Sequence, residues 1–149
     1  MDGKVVDMQI LFVCTGNTCR SPMAEYCFAA VCKQPKAVSA GLYAFDGEAM
    51  SCNSLAVLAE NGIDGSSFRS QSVTYDLVRN SSLILTMTDS HRRELLRRFP
   101  EAADKCHTLL DNADVSDPFG QSAAVYRQAF ADIRSGVDRW INFLNDNKC

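Results

Sequence analysis

Cys14 and Arg20 stand six positions apart, separated by Thr15, Gly16, Asn17, Thr18 and Cys19. A soft nucleophile and a permanent cation at that spacing suit chemistry on a tetrahedral dianion, with the sulfur at the base of a loop and the guanidinium at its rim. Gly16 and Asn17 tolerate left-handed backbone, so N–H groups from Thr15 to Arg20 can converge on three anionic oxygens. Ser21 offers an N-cap oxygen and Pro22 a first helical residue that needs no N–H, which predicts a helix starting there with its positive end at the same point. That potential, together with Arg20 and the Ser21 hydroxyl, favours the Cys14 thiolate over the thiol. The proton chemistry needs a second group. Asp117 precedes Pro118 in a polar stretch, where a hinged carboxyl group can protonate a leaving atom and later activate water. Asp111 and Asp114 compete for that role, and an aspartate before proline is also an ordinary turn former.

These residues need a scaffold, and the flanking pattern supplies one. Met8 to Val13 is a nearly unbroken apolar run of the kind a central parallel strand needs when both faces are covered. A helix is expected from Ser21 to about Lys33, with Met23, Tyr26, Cys27 and Ala30 on its apolar face and Pro35 ending it. A strand over 37–40 and a helix over about 51–61, stopped by Gly62, come next. A short helix over 74–79 leads to a buried strand at Leu83-Ile84-Leu85, whose carboxyl end should lie beside that of the first strand. Asp89 is expected to cap a helix over about 90–99 that carries Arg92, Arg93, Arg97 and Arg98, read as a solvated basic face. A fourth strand over 106–110, a polar loop over 111–121 and a last helix over about 122–144 complete the chain. In that helix Tyr126, Phe130, Ile133, Val137, Trp140 and Leu144 form a stripe fit to lie on a sheet. The reading is α/β: one doubly wound domain over 1–149, with a four-stranded parallel sheet flanked by helices and a phosphate loop after the first strand.

Composition narrows the function. The 149 residues are 46% hydrophobic, enough for a full-sized core. A net charge of −3 leaves no basic surplus for a nucleic acid, so none is expected as a partner. Asp2, Asp7 and the shortness of the first apolar run argue against a secretory signal or a membrane span, and a cytoplasmic location is expected. The seven cysteines are then expected to be mostly reduced. Cys14 with Cys19 and Cys27 with Cys32 mimic halves of a zinc site, but a spacing of five inside the first helix puts the second pair on different faces. No metal or other cofactor is expected.

Cys14-x5-Arg20 followed by Ser21-Pro22-Met23-Ala24-Glu25 resembles the signature of the low-molecular-weight protein-tyrosine-phosphatase family. Asp117-Pro118-Phe119-Gly120 is similar to that family's general-acid loop, and Ser39-Ala40-Gly41 and Met87-Thr88-Asp89 agree as well. The similarity runs from about Met8 to about Leu144. It implies a metal-independent double displacement on phosphorylated protein substrates. Cys14 attacks phosphorus, Arg20 and the loop of Thr15, Gly16, Asn17, Thr18, Cys19 and Ser21 hold the oxygens, and Asp117 is acid and then base for a phosphocysteine intermediate. The family's loop over 41–48 commonly walls the crevice, so Tyr43 and Phe45 are either substrate contacts or rings packed under that loop. Where Phe68 stands the family often has a histidine that holds the loop asparagine, which leaves Asn17 to Ser39 and Ser21.

Several readings stay open at this point. Cys-Thr-Gly-Asn-Thr-Cys-Arg-Ser resembles the bacterial protein-arginine-phosphatase branch in having threonine at position 18, where many tyrosine-directed relatives carry a bulky aliphatic residue. The smaller, hydroxylated Thr18 leaves room for the attacking water and a planar guanidinium, and Asp117 can accept from that guanidinium's forked donors. Gly120 also suits that branch, since tyrosine-directed relatives often place tyrosine there. The resemblance therefore implies phosphoarginine in proteins as substrate, with phosphotyrosine as the alternative if Thr18 merely packs beneath the loop. Arsenate reductases of the thioredoxin-coupled type share the fold and loop but need a redox cysteine pair after the third strand, and Asn80 to Glu101 contains no cysteine. Intact Cys14, Arg20 and Asp117 argue against a noncatalytic phosphate binder. Cys19 is the partner available to Cys14 for a reversible disulfide within the loop. The oligomeric state is not fixed by these residues.

Overall fold

The computed structural model describes residues 8–146. Strand β1 (Gln9–Cys14) leads through the loop to helix α1 (Arg20–Val31) and strand β2 (Lys36–Gly41). Helices α2 (Cys52–Glu60) and α3 (Tyr75–Asn80) precede strand β3 (Leu83–Thr86) and helix α4 (Asp89–Arg98). A 3-10 turn over Pro100–Lys105, not foreseen from the sequence, delivers the chain to the short strand β4 (Cys106–Thr108) and then to helix α5 (Ala123–Asp146). The four strands lie in the order β2-β1-β3-β4 and every pairing is parallel, as the apolar runs predicted.

β1 is central, and its alternation explains why it reads as a continuous apolar run. Ile10, Phe12 and Cys14 face one core with α1, α2 and α5, while Leu11 and Val13 face the other with α3 and α4. Residues Ile10 to Val13 are fully buried. Cys14 sits opposite Gly41 and Val13 opposite Thr86, so the carboxyl ends of β1, β2 and β3 form one edge, the edge where a doubly wound sheet takes its ligands. At that edge Met87 donates to the Val13 carbonyl at 3.0 Å and Val115 to the Met87 carbonyl at 2.9 Å, which pins the 110–117 loop beside the end of β1.

Two helix starts differ from expectation. α1 begins at Arg20 with Cys19 as N-cap and no side-chain capping bond, because the Ser21 hydroxyl is turned inward to the loop. α4 is capped by Thr88, whose hydroxyl accepts from His91 N–H at 3.0 Å. Asp89 is instead the first helical residue, and its carboxylate binds Arg92 and Arg93. Glu94 binds Arg97 and Arg98 in the same way, so the solvated arginine face of α4 is laced by ion pairs along its own helix, with two carboxylates for its four cations. Among the described residues no helix is long and apolar enough to cross a membrane.

α5 lies against the end of β4 through Gly136. A Cβ there would stand 2.7 Å from the Leu109 side chain and 3.1 Å from the Leu109 carbonyl oxygen, an oxygen that also accepts from the Trp140 indole. Gly136→Val should therefore push α5 off the sheet and lower stability by about 1–3 kcal/mol, read as a reduced urea midpoint. An unchanged midpoint would show that the helix yields without cost.

Candidate active site

The loop from Cys14 to Arg20 is held from outside by its carbonyl groups. Those of Cys14, Thr15 and Thr18 accept from the N–H groups of Leu42, Tyr43 and Ser51 at 2.9–3.0 Å. Among the described residues none of the five N–H groups from Thr15 to Cys19 donates to another protein atom. Carbonyls outward and amides unpaired is the polarity an anion cradle requires. Gly41 makes the close approach possible, since a Cβ there would lie 2.5 Å from the Thr15 carbonyl oxygen and 3.0 Å from the Asn17 nitrogen.

Asn17 sets the loop's curvature. It is fully buried with φ of 58°, the left-handed region that asparagine tolerates. Its side-chain amide donates to Ser21 Oγ at 2.9 Å and to Ser39 Oγ at 3.0 Å, as the sequence implied. Its carbonyl oxygen also accepts the Gln71 backbone N–H at 2.9 Å, a third tie that the side chains alone did not reveal. The Phe68 ring meets Tyr26 edge-on, where a histidine would bring ring nitrogens. Ser21 Oγ lies 2.9 Å from Cys14 Sγ. With one lone pair of Ser21 taken by Asn17, the Ser21 hydrogen is available to the sulfur.

Arg20 is 5% exposed; one nitrogen donates to the Val115 carbonyl at 2.9 Å and another lies 3.8 Å from Asp117. Asp117 is exposed, and its carboxylate accepts from Phe119 N–H at 3.1 Å, which shapes the turn through Pro118. A crevice of about 240 Å³ has Cys14, Thr15, Gly16, Thr18, Cys19 and Arg20 on one side and Asp117 with the exposed ring of Phe119 on the other. Of the competing carboxylates, Asp114 is turned to the N–H of Asp89, and neither it nor Asp111 lines this crevice. Thr18 is half-buried and is among the residues that line the crevice. Tyr43 and Phe45 are both exposed, so neither packs under its loop, and neither is among the crevice-lining residues. Tyr43 instead donates to Glu94 beneath the Arg98 guanidinium.

Two neighbours of the site were missed. Tyr126 of α5 places its hydroxyl 3.3 Å from Cys19 Sγ, and burial pushes that phenol up to about 12. Cys19 also donates to Ser51 Oγ at 3.6 Å, and both Cys14 and Cys19 are free thiols. His91 in the first turn of α4 shares a hydrogen bond with Thr15 Oγ1 at 2.8 Å, while its buried Nδ1 has no partner among the described residues. Its position in the helix after β3, at the ligand edge, was the available signal.

A chain that brings a buried sulfur, an unpaired amide loop, a buried guanidinium and a hinged carboxyl group to one crevice is built for phosphoryl chemistry. Comparison with known proteins agrees. The model of the low molecular weight phosphotyrosine protein phosphatase family matches residues 9–149, and the chain belongs to that family of cysteine phosphatases. It is 40% identical over 139 residues to a protein-arginine-phosphatase of Geobacillus stearothermophilus, covering 88% of this chain and 92% of that one. It is 35% identical over 134 residues to the probable low molecular weight protein-tyrosine-phosphatase EpsP of Ralstonia solanacearum, covering 89% and 92%. Among solved structures, the YwlE arginine phosphatase from Geobacillus stearothermophilus superposes with a TM-score of 0.89 at 37% identity, covering 95% of each chain.

His91 links the site to pH. Burial first, and then the Arg20 charge, lower its imidazole to about 4, so the folded chain favours the neutral ring. That preference stabilises the fold fully above the unfolded value of 6.5 and is lost as pH falls through about 4. It is worth on the order of 3 kcal/mol. His91→Gln should keep a bond to Thr15 and flatten the loss of stability between neutral and acid pH, as followed by urea unfolding. An equally steep decline in the variant would place the acid sensitivity elsewhere.

Proposed function

We propose that this chain is a single phosphatase domain that hydrolyses phosphoarginine in proteins through a phosphocysteine intermediate. The observation that carries the phosphatase step is the loop: five N–H groups without protein partners surround the approach to Cys14, with Arg20 buried beside them. The Cys14 sulfur attacks phosphorus as the bond to the leaving group breaks. Arg20 retains guanidinium donors beyond its one carbonyl bond, and these with the loop amides take up the charge on the equatorial oxygens. Asp117, across the crevice, gives its proton to the leaving nitrogen or oxygen. It then takes a proton from water as that water's oxygen displaces the sulfur, releasing inorganic phosphate and restoring Cys14.

The arginine assignment rests on Thr18 and Gly120, with the arginine-phosphatase relatives in support. Thr18 stands on the crevice wall, where a larger aliphatic side chain would narrow the space for a guanidinium. Gly120 has φ of 75°, a conformation in which a tyrosine would be strained, so this general-acid loop differs in backbone from one that carries tyrosine. The alternative, phosphotyrosine, draws on the exposed Phe119 ring at the crevice mouth, which can stack on an aryl leaving group.

Phosphate release from matched phosphoarginine and phosphotyrosine peptides, with EDTA present, tests the assignment. Faster turnover of phosphoarginine is expected, and Thr18→Ile should move the preference toward phosphotyrosine. Faster phosphotyrosine turnover by the unaltered chain would overturn it in favour of the alternative. Asp117→Asn should cost about 10²-fold or more on poor leaving groups and much less on p-nitrophenyl phosphate. Equal losses on both would remove Asp117 from the role of acid.

A further inference from the structure

Glu25 is an unexpected residue to find behind a loop that must hold an anion. It lies on the second turn of α1, half-buried, and its carboxylate accepts the Ser39 hydroxyl at 2.6 Å. Ser39 Oγ is also an acceptor for Asn17. The directions of these bonds follow from counting hydrogens. Asn17 Nδ2 carries two, one for Ser39 and one for Ser21, so both hydroxyls act as acceptors toward Asn17 and must donate elsewhere. Ser39 donates to Glu25, and the Ser21 hydrogen points to Cys14 Sγ, 2.9 Å away. The relay from carboxylate to sulfur thus has four links; the first three have donor and acceptor fixed by their neighbours, and toward a Cys14 thiolate Ser21 is the donor in the fourth.

We infer, on the reading that Cys14 is the nucleophile, that Glu25 is a positioning residue for the phosphate loop. As a carboxylate it takes the Ser39 hydrogen, and through Asn17 that bond orients the hydroxyl facing Cys14. A protonated Glu25 can donate to Ser39 as well as accept from it, so the direction of the Ser39 hydroxyl is no longer fixed, which loosens its contact with Asn17 and, through Asn17, the Ser21 contact.

The surroundings make this proton exchange occur in a useful range. Burial pushes the Glu25 carboxyl up to about 7, against the Ser39 hydrogen bond and the Lys36 charge, which lower it. Lys36, at the start of β2, is the charged group acting on it. From the other elements packed on α1, the Arg134 and Asp138 charges of α5 act on Cys27, and Glu60 of α2 is paired with Arg127. β1 contributes Cys14, at the far end of the relay, and Arg69 beside Phe68 is bound to the carbonyls of Ser66 and Phe68. The ordered form is therefore the one populated above about pH 7.

The test uses the full chain with Glu25→Gln and Glu25→Ala. Alkylation of Cys14 by iodoacetamide, corrected with a Cys14→Ser background, is followed against pH beside turnover of p-nitrophenyl phosphate. The unaltered chain should show an inflection near pH 7 in both profiles that Glu25→Gln lacks, since the amide keeps an acceptor but has no proton to exchange. Glu25→Ala, with no acceptor, should lose about tenfold in kcat with its urea transition intact. A Glu25→Gln profile that superimposes on that of the unaltered chain overturns the inference, as does a well-folded Glu25→Ala enzyme with unchanged kcat. Should Glu25→Ala fail to fold, the Glu25→Gln profile alone decides. Turnover by Cys14→Ser would instead sink the phosphatase mechanism, and the alkylation profile separates that failure from this one.

Discussion

The structure depends on satisfying one buried amide. Asn17 is held in left-handed backbone with no exposed surface, and a buried amide group left unpaired costs about 1–3 kcal/mol for each lost partner. Both of its donors and one of its acceptor positions are filled, from α1, from β2 and from the segment after Phe68. Satisfying Asn17 therefore requires those three parts of the chain to be in place together. Once they are, the loop carbonyls point outward to Leu42, Tyr43 and Ser51 and the amides are left for a ligand. The missing Cβ of Gly41 belongs to the same constraint, because the loop can curl this tightly only where β2 leaves room for it.

Arg20 extends the constraint across the crevice. A buried guanidinium is costly unless it is hydrogen-bonded, and here the bond comes from the Val115 carbonyl, two residues before Asp117. Val115 is in turn bound through its N–H to the end of β3. The buried Arg20 cation thus also ties down the loop that carries the Asp117 carboxyl group. The two halves of the site are registered to each other by one side chain and one backbone bond.

How much of this was legible follows from what encodes it. The strands of the sheet and the stripe of α5 were readable because burial on two faces, or on one, imposes a period on the sequence. Cys14, Arg20 and Asp117 were readable because their spacing and neighbours belong to one local motif or a second short one. The Asn17 tie to Gln71 was not, since its donor is a backbone N–H 54 residues away and any residue but proline supplies one. Helix starts failed for a related reason. Ser21 and Asp89 have capping chemistry, but the loop claims the Ser21 hydroxyl and the α4 arginines claim the Asp89 carboxylate, leaving Cys19 and Thr88 at the caps. His91 drew no reading, and Glu25 was one letter of a signature, until the fold placed one on Thr15 and the other on Ser39.

The arginines of α4 bear on how the enzyme meets its substrates. Arg92, Arg93, Arg97 and Arg98 share only two carboxylates, Asp89 and Glu94, so α4 keeps a surplus of positive charge on a chain that is mildly negative as a whole. The potential of Arg20 and the loop amides is screened beyond one Debye length of about 8 Å, so it is the group that has already arrived in the crevice that senses it. The surplus on α4 acts on approach, whereas the crevice acts on a group already in place. Selection falls to residence time, with a protein lacking a phosphoryl group leaving before chemistry and a phosphorylated one retained long enough to react.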